Sequence, residues 1–278
     1  KYLKYLFTKY NNFLENFYTK NIEDHKDYWT LESQESRDKL PSSKTISPAI
    51  NITKNTHEII SNKDNWFRSH GNNHSNRYSK LKLINNKNSQ NLELAWTFEM
   101  TGEKGDIQAN PIFFDGKIYT PIAGGYIVAL DGKTGKLIWK SEKLGSFAAK
   151  RGLVYWEGNK IEKPRIIFSN RERLISLDAK DGKFIKSFGK NGKVRSGLNV
   201  MTPVIYKDNI VIVTWEKAIE VYDLVSGKIK WKLKYQKKNK NRVGGVKYNN
   251  SGSNHWGGIS ADINRGILYF TTGNPHYY

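Results

Sequence analysis

The 278-residue chain is predicted to be all-β, assembled from four-stranded units repeated in the manner of a β-propeller. Three observations lead there. One pattern occurs three times, as Val-Ala-Leu-Asp131-Gly-Lys-Thr-Gly135-Lys-Leu-Ile-Trp139, Ile-Ser-Leu-Asp178-Ala-Lys-Asp-Gly182-Lys-Phe-Ile-Lys186 and Glu-Val-Tyr-Asp223-Leu-Val-Ser-Gly227-Lys-Ile-Lys-Trp231. Its aspartates stand 47 and 45 residues apart, a period that suits one propeller blade. From Trp66 onward, short apolar or alternating runs are separated by turn residues, as in all-β domains. Finally, Pro111-Ile-Phe-Phe-Asp115-Gly116-Lys-Ile-Tyr119 reads as strand, two-residue turn and strand, because Gly supplies the positive φ that such a hairpin needs.

Residues 1 to about 20 place Leu3, Leu6, Phe7, Tyr10, Phe13, Leu14, Phe17 and Tyr18 at spacings of three and four, which predicts an amphipathic helix. From about 35 to 64 the chain is rich in Ser, Asn, Thr and Lys with Pro41 and Pro48, an irregular linker. Residues 1–64 are therefore expected to form an N-terminal helix and linker, and residues 65–278 part of a propeller. In each repeat the Asp can cap the turn while the Gly takes a left-handed conformation. The aromatic that follows, Trp139 or Trp231, can bury its ring against a neighbouring sheet. The second repeat, expected from Gly152 to Phe188, has Lys186 in that place and can use Phe188 instead. A further unit starts with Gly257-Gly-Ile-Ser-Ala-Asp262 and Arg265-Gly-Ile-Leu-Tyr-Phe270, which gives three complete blades and part of a fourth. Lys1 in place of an initiator Met, and an end at Tyr278 just after a strand, suggest a segment of a longer protein.

A net charge of +20 raises the question of a polyanionic partner. The lysines are spread along the whole chain, and the densest run, Lys237-Lys-Asn-Lys-Asn-Arg242, falls in an expected loop, so a solvated surface accounts for it and no nucleic acid is expected. There is no cysteine, which excludes disulfides and thiolate metal sites. No apolar run is long enough to cross a membrane as a helix, and the first residues do not form a signal peptide. His70 and His74 flank Gly71-Asn-Asn, which reads as a loop rather than a metal-binding helix face. No glycine-rich loop joins a strand to a helix, so no nucleotide-phosphate site is expected.

Several motifs are more specific. Trp66-Phe-Arg-Ser-His70-Gly71-Asn-Asn-His74-Ser-Asn-Arg77-Tyr78-Ser79 with Leu94-Ala95-Trp96, Arg151-Gly152-Leu-Val-Tyr-Trp156, Gly252-Ser-Asn-His-Trp256-Gly257-Gly258 and Thr271-Thr-Gly273-Asn274-Pro275 occur in order. Together they resemble the pyrroloquinoline quinone (PQQ) dependent dehydrogenases of the membrane-associated glucose, quinate and alcohol type, over about Trp66 to Tyr278. The resemblance implies an eight-bladed propeller. It implies that Trp256 stacks on the planar cofactor, since face stacking needs no hydrogen bonds from either ring. Arg151 matches the arginine that holds a PQQ carboxylate through paired charge-assisted bonds, and Gln108 lies where a Glu or Gln approaches the cofactor. Asn274 and Glu216 match the hard oxygen ligands of Ca2+ or another divalent ion. Where the alcohol dehydrogenases carry an adjacent cysteine pair, this chain has Gly145-Ser146-Phe147, which leaves Phe147 as the candidate roof.

The implied activity is oxidation of an alcohol, sugar or polyol hydroxyl, with electrons passed to a membrane quinone or a cytochrome. The implied location is the periplasm, attached to the inner membrane. The implied base is an Asp beyond Tyr278, so no catalytic residue is assigned within these residues, and this segment alone is expected to be inactive. A non-enzymatic propeller scaffold of the outer-membrane assembly type and a basic polyanion-binding module are the alternatives. The sequence leaves the substrate and the oligomeric state open.

Overall fold

The computed structural model describes residues 65–100, 105, 107–235 and 257–272. These all belong to the unit His57–Tyr278. The expected helix over residues 1–20, the linker before Asn65 and the Lys237–Arg242 run lie outside the described residues.

Fourteen strands are described, together with one turn of 3-10 helix at Ser89–Asn91. The first sheet is β1 (Ile112–Phe114), β2 (Lys117–Ile122), β3 (Tyr126–Asp131) and β4 (Leu137–Lys140). The second is β5 (Val154–Trp156), β6 (Arg165–Ser169), β7 (Arg171–Asp178) and β8 (Lys193–Asn199). The third is β9 (Val204–Tyr206), β10 (Asn209–Thr214), β11 (Ala218–Asp223) and β12 (Ile229–Lys234). A two-stranded sheet, β13 (Ile259–Asp262) and β14 (Ile267–Phe270), follows. Every sheet is an antiparallel meander in chain order. The Asp115-Gly116 turn has positive φ at both residues, 49° and 73°, as the two-residue hairpin requires.

The sheets pack face to face through alternating side chains. Ile112, Tyr119 and Ile127 of the first sheet meet Tyr155, Ile166, Phe168 and Ile175 of the second. The opposite face of the second sheet, with Val154, Ile167 and Leu174, meets Ile210, Ile212 and Tyr222 of the third. Val204 and Val213 in turn meet Ile259 and Ala261. A strand buried on both faces needs apolar residues at successive positions, and Ile166-Ile167-Phe168 supplies them.

The repeated Asp and Gly residues fix the turn between the third and fourth strands of each full sheet. Asp131 Oδ1 accepts from the Thr134 N–H and hydroxyl, both at 2.7 Å, and Asp223 Oδ1 accepts from the Ser226 N–H and hydroxyl at 2.8 and 2.7 Å. Each turn then receives a ring from an earlier part of the chain. Trp96 covers Gly135, Trp139 covers Gly182 and Phe188 covers Gly227. Trp139 also donates its Nε1–H to the Ala179 carbonyl at 3.0 Å. A Cβ on Gly182 would stand 2.5 Å from the Trp139 ring, so only glycine admits it.

Two expectations are corrected. The outer strand of the second sheet is not at Lys183–Lys186: Phe184 makes only an isolated bridge to Leu177, and β8 begins at Lys193 after a further turn through Gly189, Asn191 and Gly192. That turn lets Phe188 reach the third sheet while β8 still closes the second. Trp231 is not buried, being 51% exposed: the described part of the last sheet has two strands, and its Asp262-to-Gly266 turn, which joins the first strand to the second, is met by the Tyr206 hydroxyl rather than by this ring.

Candidate cofactor site

The innermost strands β1, β5, β9 and β13 are neighbours in succession. A tight hairpin, Asn65 to Ser75, lies against them. On its way out, Trp66 pairs antiparallel with Phe113 of β1 and Arg68 with Val154 of β5. It turns at Arg68-Ser69-His70-Gly71, closed by mutual backbone bonds between Arg68 and Gly71. On its way back, Asn73 accepts from the Ala261 N–H of β13 at 2.7 Å and donates its amide to the Ile205 carbonyl of β9.

The hairpin tip sits where the inner strands begin. The Ser69 hydroxyl donates to the Asn110 carbonyl at 2.7 Å and accepts from the Leu153 N–H at 3.0 Å, joining the starts of β1 and β5. Thr202, just before β9, donates its hydroxyl to the Arg151 carbonyl at 2.8 Å. Gly152 is wedged between them with φ +134°, and a Cβ there would stand 2.3 Å from Thr202 Oγ1 and 2.4 Å from Ser69. His70 packs on Gly258. Burial, with Arg68 and Arg77 nearby, pulls the His70 imidazole down to about 4, so it is neutral at pH 7.

In a meander, the start of the first strand and the turn between the second and third share one end of the sheet. Gln108 precedes β1, Arg151 precedes β5, and Glu216 forms the turn between β10 and β11. All three therefore lie at the same end of the inner strands. Gln108 and Glu216 are exposed there and Arg151 is half-buried. Trp256 and Asn274 lie outside the described residues. The chain on either side of the last sheet is nonetheless brought together at this end: a Cβ on Gly257 would stand 2.4 Å from Thr271 Oγ1. Phe147 is also at this end, since Leu144 N–H bonds to the carbonyl of Gly125 in the β2–β3 turn. The Phe147 ring carries the Arg171 guanidinium at 4.7 Å and the Lys150 ammonium at 5.3 Å.

The Glu216 carboxylate accepts the Leu198 N–H through both oxygens, at 3.0 and 2.9 Å. Beside it, Glu220 is buried and accepts from the Gly197 N–H, the Tyr222 hydroxyl and the Lys232 ammonium. Burial pushes this carboxyl up, but the three donors outweigh it and hold it below its ordinary value. Gly197 and Leu198 belong to an irregular stretch of β8, where pairing with β7 jumps from Arg173–Arg195 to Arg171–Asn199. That stretch docks on the third sheet through the two glutamates.

Toward an acidic cofactor the described residues supply an arginine at a strand start, Arg151, whereas the space beside Gly257 and Gly258 is taken by Thr271 and His70. For a metal ion they supply less. Among the described residues no group of three His, Asp or Glu converges, and Glu216 is the expected ligand that lies among them. A separate cavity of about 290 Å³ lies at the opposite end of the inner strands, lined by Phe114, Tyr155, Trp156, Glu157 and Asn73 among others.

Residues 66–278 match the family described as PQQ: glucose/ethanol/alcohol dehydrogenase, beta-propeller domain. The chain belongs to this family. It is 31% identical over 192 residues to the dehydrogenase subunit of the quinone alcohol dehydrogenase of Gluconacetobacter polyoxogenes, covering 61% of this chain and 25% of that one. It is 26% identical over 260 residues to methanol dehydrogenase [cytochrome c] subunit 1 of Methylobacterium organophilum, covering 78% and 41%. The solved structure of a europium-containing methanol dehydrogenase shares the fold, with a TM-score of 0.58 and 22% identity over 76% of this chain and 43% of that one. The chain thus spans between a quarter and two fifths of the length of these relatives.

Sequence reasoning missed Arg68, Ser69 and Thr202, which join the strand starts. The glycine of Arg151-Gly152 carried the one signal, since glycine beside a candidate binding residue marks close backbone approach.

Proposed function

We propose that the protein is a PQQ-dependent dehydrogenase that oxidises an alcohol, sugar or polyol hydroxyl and passes the electrons to a quinone or cytochrome. Residues 65–278 form its partial propeller and residues 1–64 an N-terminal extension. The observation that carries the reading is the placement of Gln108, Arg151 and Glu216 at one end of the inner strands, beside the Gly257 and Thr271 positions that lead to Trp256 and Asn274.

Each residue has a distinct task. The Arg151 guanidinium would bind a cofactor carboxylate, and Gln108 would donate to another. Trp256 provides an apolar floor that excludes water beneath the ring. Glu216 and Asn274 would hold a calcium or other divalent ion with hard oxygen atoms. PQQ, when bound, would supply the acceptor for hydride from the carbon that bears the hydroxyl. No base is assigned among the described residues. The periplasm, beside the membrane that holds the acceptor, is proposed on the family resemblance alone.

The test is to add PQQ and calcium to the full-length protein and follow dye reduction with alcohols, sugars and quinate. Saturable PQQ binding with turnover of at least one substrate class is expected, and Trp256→Ala should weaken binding at least tenfold. Absence of PQQ binding, or salt-dependent binding to DNA or acidic lipid in its place, overturns the reading.

A further inference from the structure

We propose that Arg68 is a positioning residue for the cofactor end, holding the strand starts that carry the cofactor contacts at fixed spacing and supplying a buried positive charge beneath them. This rests on the reading given under Proposed function.

All five N–H donors of the Arg68 guanidinium are used. Nε donates to the Pro203 carbonyl at 2.9 Å, and one terminal nitrogen donates to the carbonyls of Thr202 at 3.0 Å and Ile259 at 2.9 Å. The other donates to Ser75 Oγ at 2.7 Å and, at 3.5 Å, to the Asn72 carbonyl. These acceptors lie at the starts of β9 and β13 and on the hairpin itself. Ser69 next door joins Asn110 and Leu153, at the starts of β1 and β5. A continuous polar belt therefore runs from Asn110, two residues after Gln108, through Leu153 and Thr202 to Ile259, three residues after Trp256. Thr202 closes it by fixing the Arg151 carbonyl. A shift of any one strand start would change the distance between cofactor contacts that lie in different sheets.

The charge is as informative as the bonds. Arg68 is fully buried and none of its acceptors is a carboxylate. Arg165, equally buried, presents the contrasting arrangement: it pairs with Glu162 and donates to the carbonyls of Leu224 and Val225. Burial alone draws Arg68 down to about 9, which still leaves it cationic at pH 7. A belt of carbonyls could be bridged by neutral amides and hydroxyls, and burying an unpaired cation is unfavourable. An anionic ligand bound above the hairpin tip gives that cation its counterpart.

Three full-length variants separate the roles. Arg68→Lys keeps the charge but replaces a planar five-donor fork with three donors on one atom. Arg68→Gln removes the charge. Ile210→Val, in the core between the second and third sheets, serves as a control for general destabilisation. PQQ dissociation constants are measured by equilibrium dialysis, at a temperature at which melting curves show all proteins folded. Arg68→Lys is expected to weaken PQQ binding about tenfold and Arg68→Gln more, with Ile210→Val within twofold of the unaltered protein. Ser69→Ala, which leaves the charge intact, is expected to weaken binding three- to tenfold and provides the readout if the Arg68 variants do not fold. Unaltered protein that binds PQQ, with Arg68 and Ser69 variants matching the Ile210 control, overturns this inference alone. Unaltered protein that binds no PQQ overturns the functional reading and this inference with it.

Discussion

Between the third and fourth strands, Gly135, Gly182 and Gly227 each receive one aromatic ring in nearly the same way. At the inner strand starts, Asn110, Leu153, Thr202 and Ile259 are joined by side-chain bonds that differ from sheet to sheet. The first region repeats because its task, locking one blade to the next, is the same each time. The second differs from sheet to sheet, as the proposed function requires of an end that presents different groups to one asymmetric ligand. Regularity therefore marks scaffold in this fold, and departures from it mark the candidate site.

Substitutions in the two regions should part stability from binding. The largest effect on stability is expected for Trp139→Ala, which empties a buried ring site over Gly182 and strands the Ala179 carbonyl. A loss of about 3–5 kcal/mol is expected in denaturant unfolding, with PQQ affinity retained where the protein remains folded. Gly152→Ala should show the opposite balance. Its Cβ would collide with Ser69 and Thr202 at a backbone angle that side chains disfavour, costing about 1–3 kcal/mol but weakening PQQ at least tenfold. An equal effect on both measurements would remove the distinction between the regions.

Glu220 tests the coupling between β8 and the third sheet. Its carboxyl is held below the ordinary value, so the stability it contributes is present at neutral pH and is lost as pH falls through its lowered value in the folded state. Glu220→Gln should therefore lower the melting temperature at pH 7 by an amount equivalent to about 1–2 kcal/mol. Melting curves across pH should show the gap to the unaltered protein closing below about pH 4, near the ordinary glutamate value. A gap that stays constant with pH would show that the charge has no part in it.

The two regions also differ in how far the sequence reveals them. The Asp-to-Gly turns are local patterns with a fixed period, so the turns, the burial of Trp139 and the use of Phe188 could be read directly, while the seat of each ring over the next unit's glycine comes from the packing. The displaced strand β8 was not legible: Lys183-Phe184-Ile185 looks like a strand, and only packing against the third sheet moves the pairing to Lys193–Asn199. Arg68 was the least legible, because an arginine beside Ser-His-Gly reads as an exposed loop residue. Its burial depends on carbonyls that lie 134, 135 and 191 residues away in sequence. Gln108, Arg151 and Glu216 were assigned through family motifs, and the strand directions that set them at one end came from the meander.

The central claim is that this end of the inner strands holds an acidic cofactor through Arg151. The direct measurement is a PQQ binding isotherm for the full-length protein and for Arg151→Gln, with melting curves taken alongside. Arg151→Gln should melt within a few degrees of the unaltered protein while binding PQQ at least tenfold more weakly. Equal affinities for the two proteins would contradict the claim.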